Sequence, residues 1–322
     1  MDLNRRQLLK AYRSMRTIRA FESAVNREFL EGRIPGFVHL YTGQEAVAVG
    51  VCENLTDRDY TISTHRGHGH CAAKGCDLLA MMLEIKGKAG GACSGKGGSM
   101  HIADFNKGML GANAIVGGGA PMILGAALSS KLRKTSDVAV CFSGDGASNQ
   151  GTTFEAMNMA VVLELPVIFI TENNGYGEHT PASYAVGAKS IAERAAGFGL
   201  PAETVDGTDF FAVFSAAERA VERARRGEGP SFIEADVVRF EGHFIGDPQN
   251  YRSPGELAEV KKNRDCLAIF KNRVLRETIL TAAELEQIDA EVIATVAESV
   301  EKAESASAPS PDELLTDVYV SY

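Results

Sequence analysis

The order of apolar and helical segments between residue 120 and about residue 240 limits the fold of this chain more than any other feature. DVAVCFSGDG and LPVIFITENN are short apolar runs that end in polar turns, as buried parallel strands do. The helical segment TTFEAMNMAVVLE separates them, and a third apolar run, SFIEADVVRF, follows another long helical segment. This alternation predicts an α/β fold with a mostly parallel sheet and helices on both faces.

Helical patterns flank this region on both sides. Asp77 stands in position to cap the apolar run LLAMMLEI, and Thr281 and Glu284 have the spacing of a capping box. Thr152 and Glu155 have the same spacing. We therefore predict one α/β domain over residues 1–322, with a region of helices and loops at about 1–86, the α/β core at about 87–255 and a helical region at about 256–322.

Charge and cysteine content exclude several classes of function. The formal net charge of −9 argues against a nucleic-acid-binding protein, because phosphate binding needs a basic face. No run of 18 apolar residues is present, so we expect no membrane span. The six cysteines form no CxxC pair, which favours buried free thiols and a cytoplasmic location.

Polar residues follow two of the predicted strands. Asp145 lies in the sequence GDG, and Asn173 and Asn174 come after 26 intervening residues. Open α/β sheets bind ligands at the carboxyl ends of their strands. Carboxylate and amide oxygens suit magnesium, and glycines beside them let backbone N–H groups approach a phosphate. This pair therefore predicts a site for magnesium and a phosphate-bearing ligand.

Three of the seven histidines lie close together in STHRGHGH, at His65, His68 and His70. Such a cluster raises the possibility of a zinc site. Neither a cysteine nor a carboxylate stands at ligand spacing to complete one. The alternative is a loop that contacts a phosphate.

Several segments together resemble the α subunits of the thiamine diphosphate-dependent 2-oxo acid and acetoin dehydrogenase complexes. They are GQEAVAVG, THRGHG, GKGGSMHI, GANAIVGGGAP, GDGASNQGTTFEAMNMA and LPVIFITENNGYGEHT, and the resemblance covers roughly residues 15 to 320. It implies the thiamine diphosphate-binding fold, in its diphosphate-binding half, with thiamine diphosphate and Mg²⁺ as cofactors.

The resemblance also implies roles for individual residues. Magnesium ligands are expected at Asp145, Asn174 and the Tyr176 carbonyl, diphosphate contacts at Gly146, Ala147, His65 and Arg66, and aminopyrimidine contacts at the backbone of Ala114 and Val116. At position 65 the family often has tyrosine. At position 114 it usually has glycine, and alanine would be costly there if the backbone needed a positive φ.

His39 and His243 match family histidines at the entrance of the active site, where His39 also borders the cofactor. Histidine suits proton transfer near neutral pH and can stabilise negative charge on a substrate oxygen. We expect both to be catalytic. A regulatory serine follows the second histidine in some pyruvate dehydrogenases. Phe244 stands there instead, so we expect no such phosphorylation switch.

The implied activity needs partners. In this family a β subunit supplies the pyrimidine-binding half and an activating glutamate, and a lipoyl-bearing acyltransferase accepts the acyl unit. We therefore expect a heterotetramer of two α and two β chains that is inactive without β. THRGHGHCAAKG and GHFIGDPQNYR look closest to acetoin dehydrogenase; pyruvate or another 2-oxo acid is the alternative substrate.

Two other classes of protein stay open at this point. One is a half of a transketolase-like enzyme, which would lack a lipoyl partner. The other is a non-enzymatic assembly subunit with the same fold, against which the presence of Asp145, Asn174, His39 and His243 argues.

Overall fold

A six-stranded sheet in which every pairing is parallel forms the centre of the computed structural model, which describes residues 3–319. Its strands lie in the order β2-β1-β3-β4-β8-β7, and β5 and β6 form a separate antiparallel pair. The strands are β1 (Tyr60–Ile62), β2 (Met109–Gly111), β3 (Ala139–Gly144), β4 (Val167–Asn173), β5 (Tyr176–Gly177), β6 (Thr180–Pro181), β7 (Ala202–Asp206) and β8 (Ser231–Asp236). The predicted α/β class is confirmed.

Twelve α-helices surround or flank the sheet in the described part of the chain. They are α1 (Arg5–Leu30), α2 (Glu45–Cys52), α3 (His68–Lys74), α4 (Leu78–Ile85), α5 (Gly119–Arg133), α6 (Gly151–Val162), α7 (Ala182–Ala185), α8 (Ile191–Ala196), α9 (Phe210–Arg225), α10 (Glu256–Asn263), α11 (Cys266–Arg276) and α12 (Ala282–Ser305). Short 3₁₀ helices lie at Phe105–Lys107, Gly146–Asn149 and Pro311–Leu315.

Strands β3 and β4 begin with four consecutive apolar residues, because helices cover both faces of the sheet. In β3, Ala139 and Cys141 pack with residues of α5, α6 and α8. Val140 and Phe142, which alternate with them, pack on the opposite face with residues of α2 and α9. This two-residue alternation explains why DVAVCF shows no polar face in the sequence.

The flanking helices begin largely where the sequence predicted. Asp77 caps α4 by accepting a 2.8 Å hydrogen bond from the Ala80 amide, and Thr281 and Glu284 form both bonds of a capping box. The predicted capping box at Thr152 is wrong. The cap residue of α6 is Gln150, which makes no side-chain capping bond.

Three strands of the six-stranded sheet were not predicted from the sequence. β1 and β2 are only three residues long, and β1 lies inside the segment that was predicted to hold helices and loops alone. β7 lies at an edge of the sheet, and its residues are half-buried or exposed. Too few apolar residues mark any of the three for a sequence pattern to reveal them.

Within residues 3–319, none of the helices combines the length and the apolar composition that a membrane crossing needs. The six cysteines are free thiols, five of them buried and Cys93 half-buried, as the sequence predicted. Residues 1–2 and 320–322 lie outside the described residues.

Candidate active site

The predicted magnesium ligands lie at the carboxyl ends of two adjacent strands. β3 and β4 pair in register, with Gly144 opposite Glu172, so Asp145 and Asn174 follow neighbouring strand ends. The side chain of Asp145 is buried, and this burial raises the pKa of its carboxyl to about 6. The Asn174 side chain donates to Gln44 Oε1 at 3.2 Å, and its Oδ1 accepts from the Tyr176 amide at 3.3 Å.

Two glycines bring backbone segments together beside Asp145. A Cβ atom built on Gly177 would lie 3.1 Å from the Cα of Gly146, so neither position has room for a side chain. A 3₁₀ helix begins at Gly146, and the first amides of a helix have no carbonyl of their own helix to bond. The amides of Gly146 and Ala147 therefore suit an anionic oxygen next to a cation.

These residues border a cavity of about 310 Å³. Nine of the eleven residues singled out in the sequence line it: His65, Arg66, Val116, Asp145, Gly146, Ala147, Asn174, Tyr176 and His243. Ala114 does not line the cavity, and its φ is not positive, so alanine at this position carries no backbone strain. Ile115 and Val116 lie at the cavity wall with 71% and 48% of their surface exposed.

Three histidines from distant parts of the sequence meet at one side of this cavity. The ring centroids of His39 and His65 are 4.6 Å apart, those of His39 and His243 5.0 Å, and those of His65 and His243 5.2 Å. His39 is buried behind the other two, and its Nδ1 has no hydrogen-bond partner in the described structure.

The three imidazoles share one electrostatic environment. Burial, followed by the positive charge of Arg66, lowers the pKa of His39 to about 3, that of His65 to about 2 and that of His243 to about 4. All three rings are therefore neutral near pH 7. Each can accept a proton or a hydrogen bond on one nitrogen while donating from the other.

Arg66 holds the His243 loop against the cavity. Its Nη2 donates to the His243 carbonyl at 2.6 Å and contacts His243 Nδ1 at 3.2 Å, while Nη1 donates to the Leu40 carbonyl at 2.9 Å. The guanidinium is buried, and desolvation with the nearby charge of Arg239 lowers the pKa of Arg66 to about 9.

Arg239 was missed in the sequence. It lines the same cavity, is 1% exposed, donates to the Tyr251 hydroxyl at 2.6 Å and has an unpartnered Nε. The sequence does contain a pattern that indicates this residue, because Arg239 follows a buried strand in SFIEADVVRF just as Asp145 follows β3. Two buried guanidiniums make the cavity attractive to an anion.

The other two histidines of STHRGHGH lie in the core. The ring of His68 contacts Glu22 Oε2 at 3.0 Å through Nδ1 and Ser99 Oγ at 2.9 Å through Nε2. His70 contacts Ser63 Oγ at 2.7 Å and Glu172 Oε1 at 3.2 Å. Both rings are fully satisfied by protein partners, so the three histidines of this stretch do not form one metal site.

The observed donor set fits the cofactor that the resemblance implies. Oxygen donors at Asp145 and Asn174 match the preference of Mg²⁺, and the glycine approach and two arginines match a diphosphate. These residues would hold the polar part of such a cofactor, and the apolar side chains of Ile115 and Val116 are exposed at the wall of the same cavity.

Comparison with known proteins shows the family to which the chain is similar. The sequence model of the family described as "Dehydrogenase E1 component" matches residues 13–312. The α subunit of acetoin:2,6-dichlorophenolindophenol oxidoreductase from Cupriavidus necator is 55% identical over 322 residues, covering 100% of this chain and 97% of the relative. The subunit of the same name from Bacillus subtilis is 54% identical over 322 residues, covering 100% of this chain and 96% of the relative.

A second group of relatives is more distant. The α subunit of the pyruvate dehydrogenase E1 component from Rhizobium meliloti is 41% identical over 310 residues, which cover 96% of this chain and 89% of the relative.

Proposed function

This chain belongs to the dehydrogenase E1 component family, and we propose that it is the α subunit of a thiamine diphosphate-dependent enzyme that cleaves acetoin. The observation that carries this proposal is the cavity that Asp145 and Asn174 line together with His65, His243 and two buried arginines. Acetoin is proposed because the relatives that are 54–55% identical over the whole chain act on it by name. Pyruvate, named for relatives at 41% identity, is the second candidate substrate.

The cofactor would be held by residues from four segments. Asp145, Asn174 and the Tyr176 carbonyl would ligate Mg²⁺, the amides of Gly146 and Ala147 with His65 and Arg66 would contact the diphosphate, and the backbone of Ala114 and Val116 would contact the aminopyrimidine ring. Thiamine diphosphate supplies, when bound, a nucleophilic carbon for attack on a carbonyl. The buried Asp145 carboxylate and the close Gly146–Gly177 approach support this placement.

His39 and His243 would act on the substrate. Both imidazoles are neutral near pH 7, so one ring nitrogen can accept a hydrogen bond from a substrate hydroxyl while the N–H of the other nitrogen donates one. Arg66, through the His243 carbonyl, would keep the ring of His243 at the cavity.

A β subunit would complete the site and supply the activating glutamate. Ile115 and Val116 expose apolar surface at the cavity wall, and helices α5 and α6 expose Met122, Leu132, Met159 and Val162. Exposed apolar surface of this kind is typical of an interface. We propose a heterotetramer of two α and two β chains that passes the acyl unit to a lipoyl-bearing acyltransferase. Six free thiols favour a reducing, cytoplasmic compartment.

The proposal is tested by co-expression of this chain with its β subunit. With thiamine diphosphate and Mg²⁺ present, reduction of dichlorophenolindophenol is followed with acetoin or pyruvate as the substrate. We expect acetoin to be preferred and the isolated α chain to be inactive. A preference for pyruvate would replace the substrate assignment, and full activity of the α chain alone would overturn the two-subunit site.

A further inference from the structure

We propose that His39, His65 and His243 form a binding site for Zn²⁺ and similar transition-metal ions, separate from the magnesium site, at which such ions inhibit the enzyme. One ligand nitrogen of each ring lies within 4.8 Å of the corresponding nitrogens of the other two. The three rings come from the loops that precede α2, follow β1 and follow β8. A ligand set of three imidazoles suits Zn²⁺, Cu²⁺ or Co²⁺ and is a poor one for Mg²⁺.

His39 provides an independent indication of a ligand. Its side chain is 8% exposed, and its Nδ1 lacks a hydrogen-bond partner in the described structure. A buried polar atom without a partner costs about 1–3 kcal/mol. A metal ion that used this lone pair would remove the cost, whereas His68 and His70 have protein partners on both ring nitrogens and are not free to bind one.

The rings need only a small movement to reach bonding distance. Zn–N bonds of about 2.0–2.1 Å in a tetrahedron separate the ligand nitrogens by about 3.4 Å. The nitrogens here lie within 4.8 Å, so each ring has to shift inward by no more than about an ångström. Side-chain rotation provides such a shift, since all three residues lie in loops.

The surrounding charges make the site one of moderate affinity. Arg66 and Arg239 are positive and face the rings, and the Arg66 Nη2 contact with His243 Nδ1 would have to open. Arg66 would keep its bonds to the carbonyls of His243 and Leu40. Asp247, which accepts from the His243 amide at 2.6 Å, is a negative group beside the site. A reversible inhibitory ion fits this balance of charges better than a permanent structural ion.

His65 supplies the third imidazole of the group. A tyrosine there would leave two imidazoles, which is one ligand fewer than the zinc sites with an open fourth position contain. His65→Tyr is therefore the informative variant, and His39→Gln is the second. His101→Gln is the matched control, since it also removes one of the seven histidines but lies exposed outside the group.

The binding test uses Co²⁺ as a spectroscopic probe on the complex with the β subunit, with excess Mg²⁺ to saturate oxygen-ligand sites. Four-coordinate Co²⁺ with imidazole ligands absorbs visible light far more strongly than octahedral Co²⁺. We expect an intense visible band that saturates at one ion per α chain and that Zn²⁺ abolishes. The Co²⁺ concentration for half-saturation should rise at least tenfold in His65→Tyr and in His39→Gln, and less than twofold in His101→Gln.

The outcomes separate the site from folding artefacts. The thermal unfolding temperature of each variant is measured. If His65→Tyr or His39→Gln unfolds at a lower temperature than the wild type, the conclusion rests on Co²⁺ binding by the other variant. Absence of a visible band in the wild-type complex would overturn the site. A band that both His65→Tyr and His39→Gln retain would assign the ion to other ligands and overturn it equally.

Inhibition is the part that rests on the proposed function, and it has its own measurement. Zn²⁺ is titrated into the dye-reduction assay, and each variant is compared with its own rate without Zn²⁺. We expect inhibition that a chelator reverses and that needs at least tenfold more Zn²⁺ in His65→Tyr. Equal sensitivity of His65→Tyr would place the inhibitory ion elsewhere. Should neither acetoin nor pyruvate be a substrate, the proposed function fails while the Co²⁺ result still decides the metal site.

Discussion

Arg66 and His243 are joined by a 2.6 Å hydrogen bond from the Arg66 guanidinium to the His243 carbonyl, across 177 residues of sequence. The same guanidinium donates to the Leu40 carbonyl at 2.9 Å, one residue beyond His39. One buried side chain thus fixes the two loops that carry the proposed catalytic histidines. The positions of His39 and His243 relative to each other depend on it.

Replacement of Arg66 by lysine is predicted to loosen both loops. A lysine ammonium lacks the planar fork with which arginine reaches both carbonyls, and a hydrogen bond to a charged group contributes about 1.5–3 kcal/mol. The loss of one such bond corresponds to about a 10- to 100-fold fall in kcat/KM for acetoin. Arg58→Lys is the control, because Arg58 is an exposed partner of Asp137. Equal kcat/KM values for the two variants would contradict the role of Arg66.

A residue of this site can be predicted from the sequence when the residues next to it form a recognisable pattern. Asp145 and Asn174 were predictable because each directly follows a buried strand, and adjacent parallel strands end at the same edge of the sheet. The close approach of His39, His65 and His243 was not predictable, because it depends on the packing of three loops that are distant in sequence. Without the resemblance, no spacing within the chain connects these residues.

The errors in secondary structure have equally local causes. The Thr152 hydroxyl donates to the Gly117 carbonyl at 3.3 Å instead of capping α6, so a long-range contact takes the place of the local one. AETVD in β7 is a sheet edge with little apolar character, and within residues 3–319 its only strand partner is β8. Tertiary context decides both cases, and a sequence pattern does not contain it.

Asp145→Asn is predicted to weaken cofactor binding. The substitution keeps the shape of the side chain and removes the negative charge that a divalent cation needs. Calorimetric titration of the complex with thiamine diphosphate and Mg²⁺ should show at least a tenfold rise in Kd, and chelation of Mg²⁺ should release the cofactor from the wild type. The exposed Asp57, which pairs with Lys107, gives the control Asp57→Asn with unchanged affinity. Wild-type affinity in Asp145→Asn would remove this carboxylate from the proposed magnesium site.

Asp59 is predicted to stabilise the fold in a pH-dependent manner. Its buried carboxylate accepts from Arg225 at 2.7 Å and from the Val138 amide at 2.9 Å, and these partners hold its pKa below the usual value although burial opposes them. Because the folded pKa is the lower one, the stabilisation is fully present above the unfolded pKa of about 3.9 and is lost as pH falls through the folded pKa. Asp59→Asn should cost about 3–5 kcal/mol at pH 7, since it leaves Arg225 without its partner.

Urea unfolding of the wild type and of Asp59→Asn at several pH values measures this effect. The difference in free energy of unfolding should be constant from pH 7 to pH 5 and should shrink as the pH falls below about 4. Asp137→Asn is the control, because its partner Arg58 is largely exposed and the pair contributes about 0–1 kcal/mol. A difference that grew on acidification would contradict the sign of the pKa shift.

Glu84 is predicted to organise the glycine-rich loop that follows α4. Its buried carboxylate accepts from the amides of Cys93 at 2.7 Å, Gly95 at 2.8 Å, Gly97 at 2.6 Å and Gly98 at 3.0 Å. In Glu84→Gln one oxygen becomes an NH₂ group that faces backbone donors, so two of these four bonds are lost at about 1.5–3 kcal/mol each. Hydrogen exchange should therefore accelerate at least tenfold in residues 93–98. Glu53→Gln, at a helix end where Glu53 pairs with the exposed Lys10, should leave exchange in this loop unchanged. Equal protection of the loop in Glu84→Gln and in the wild type would show that the glycines hold their conformation without the carboxylate.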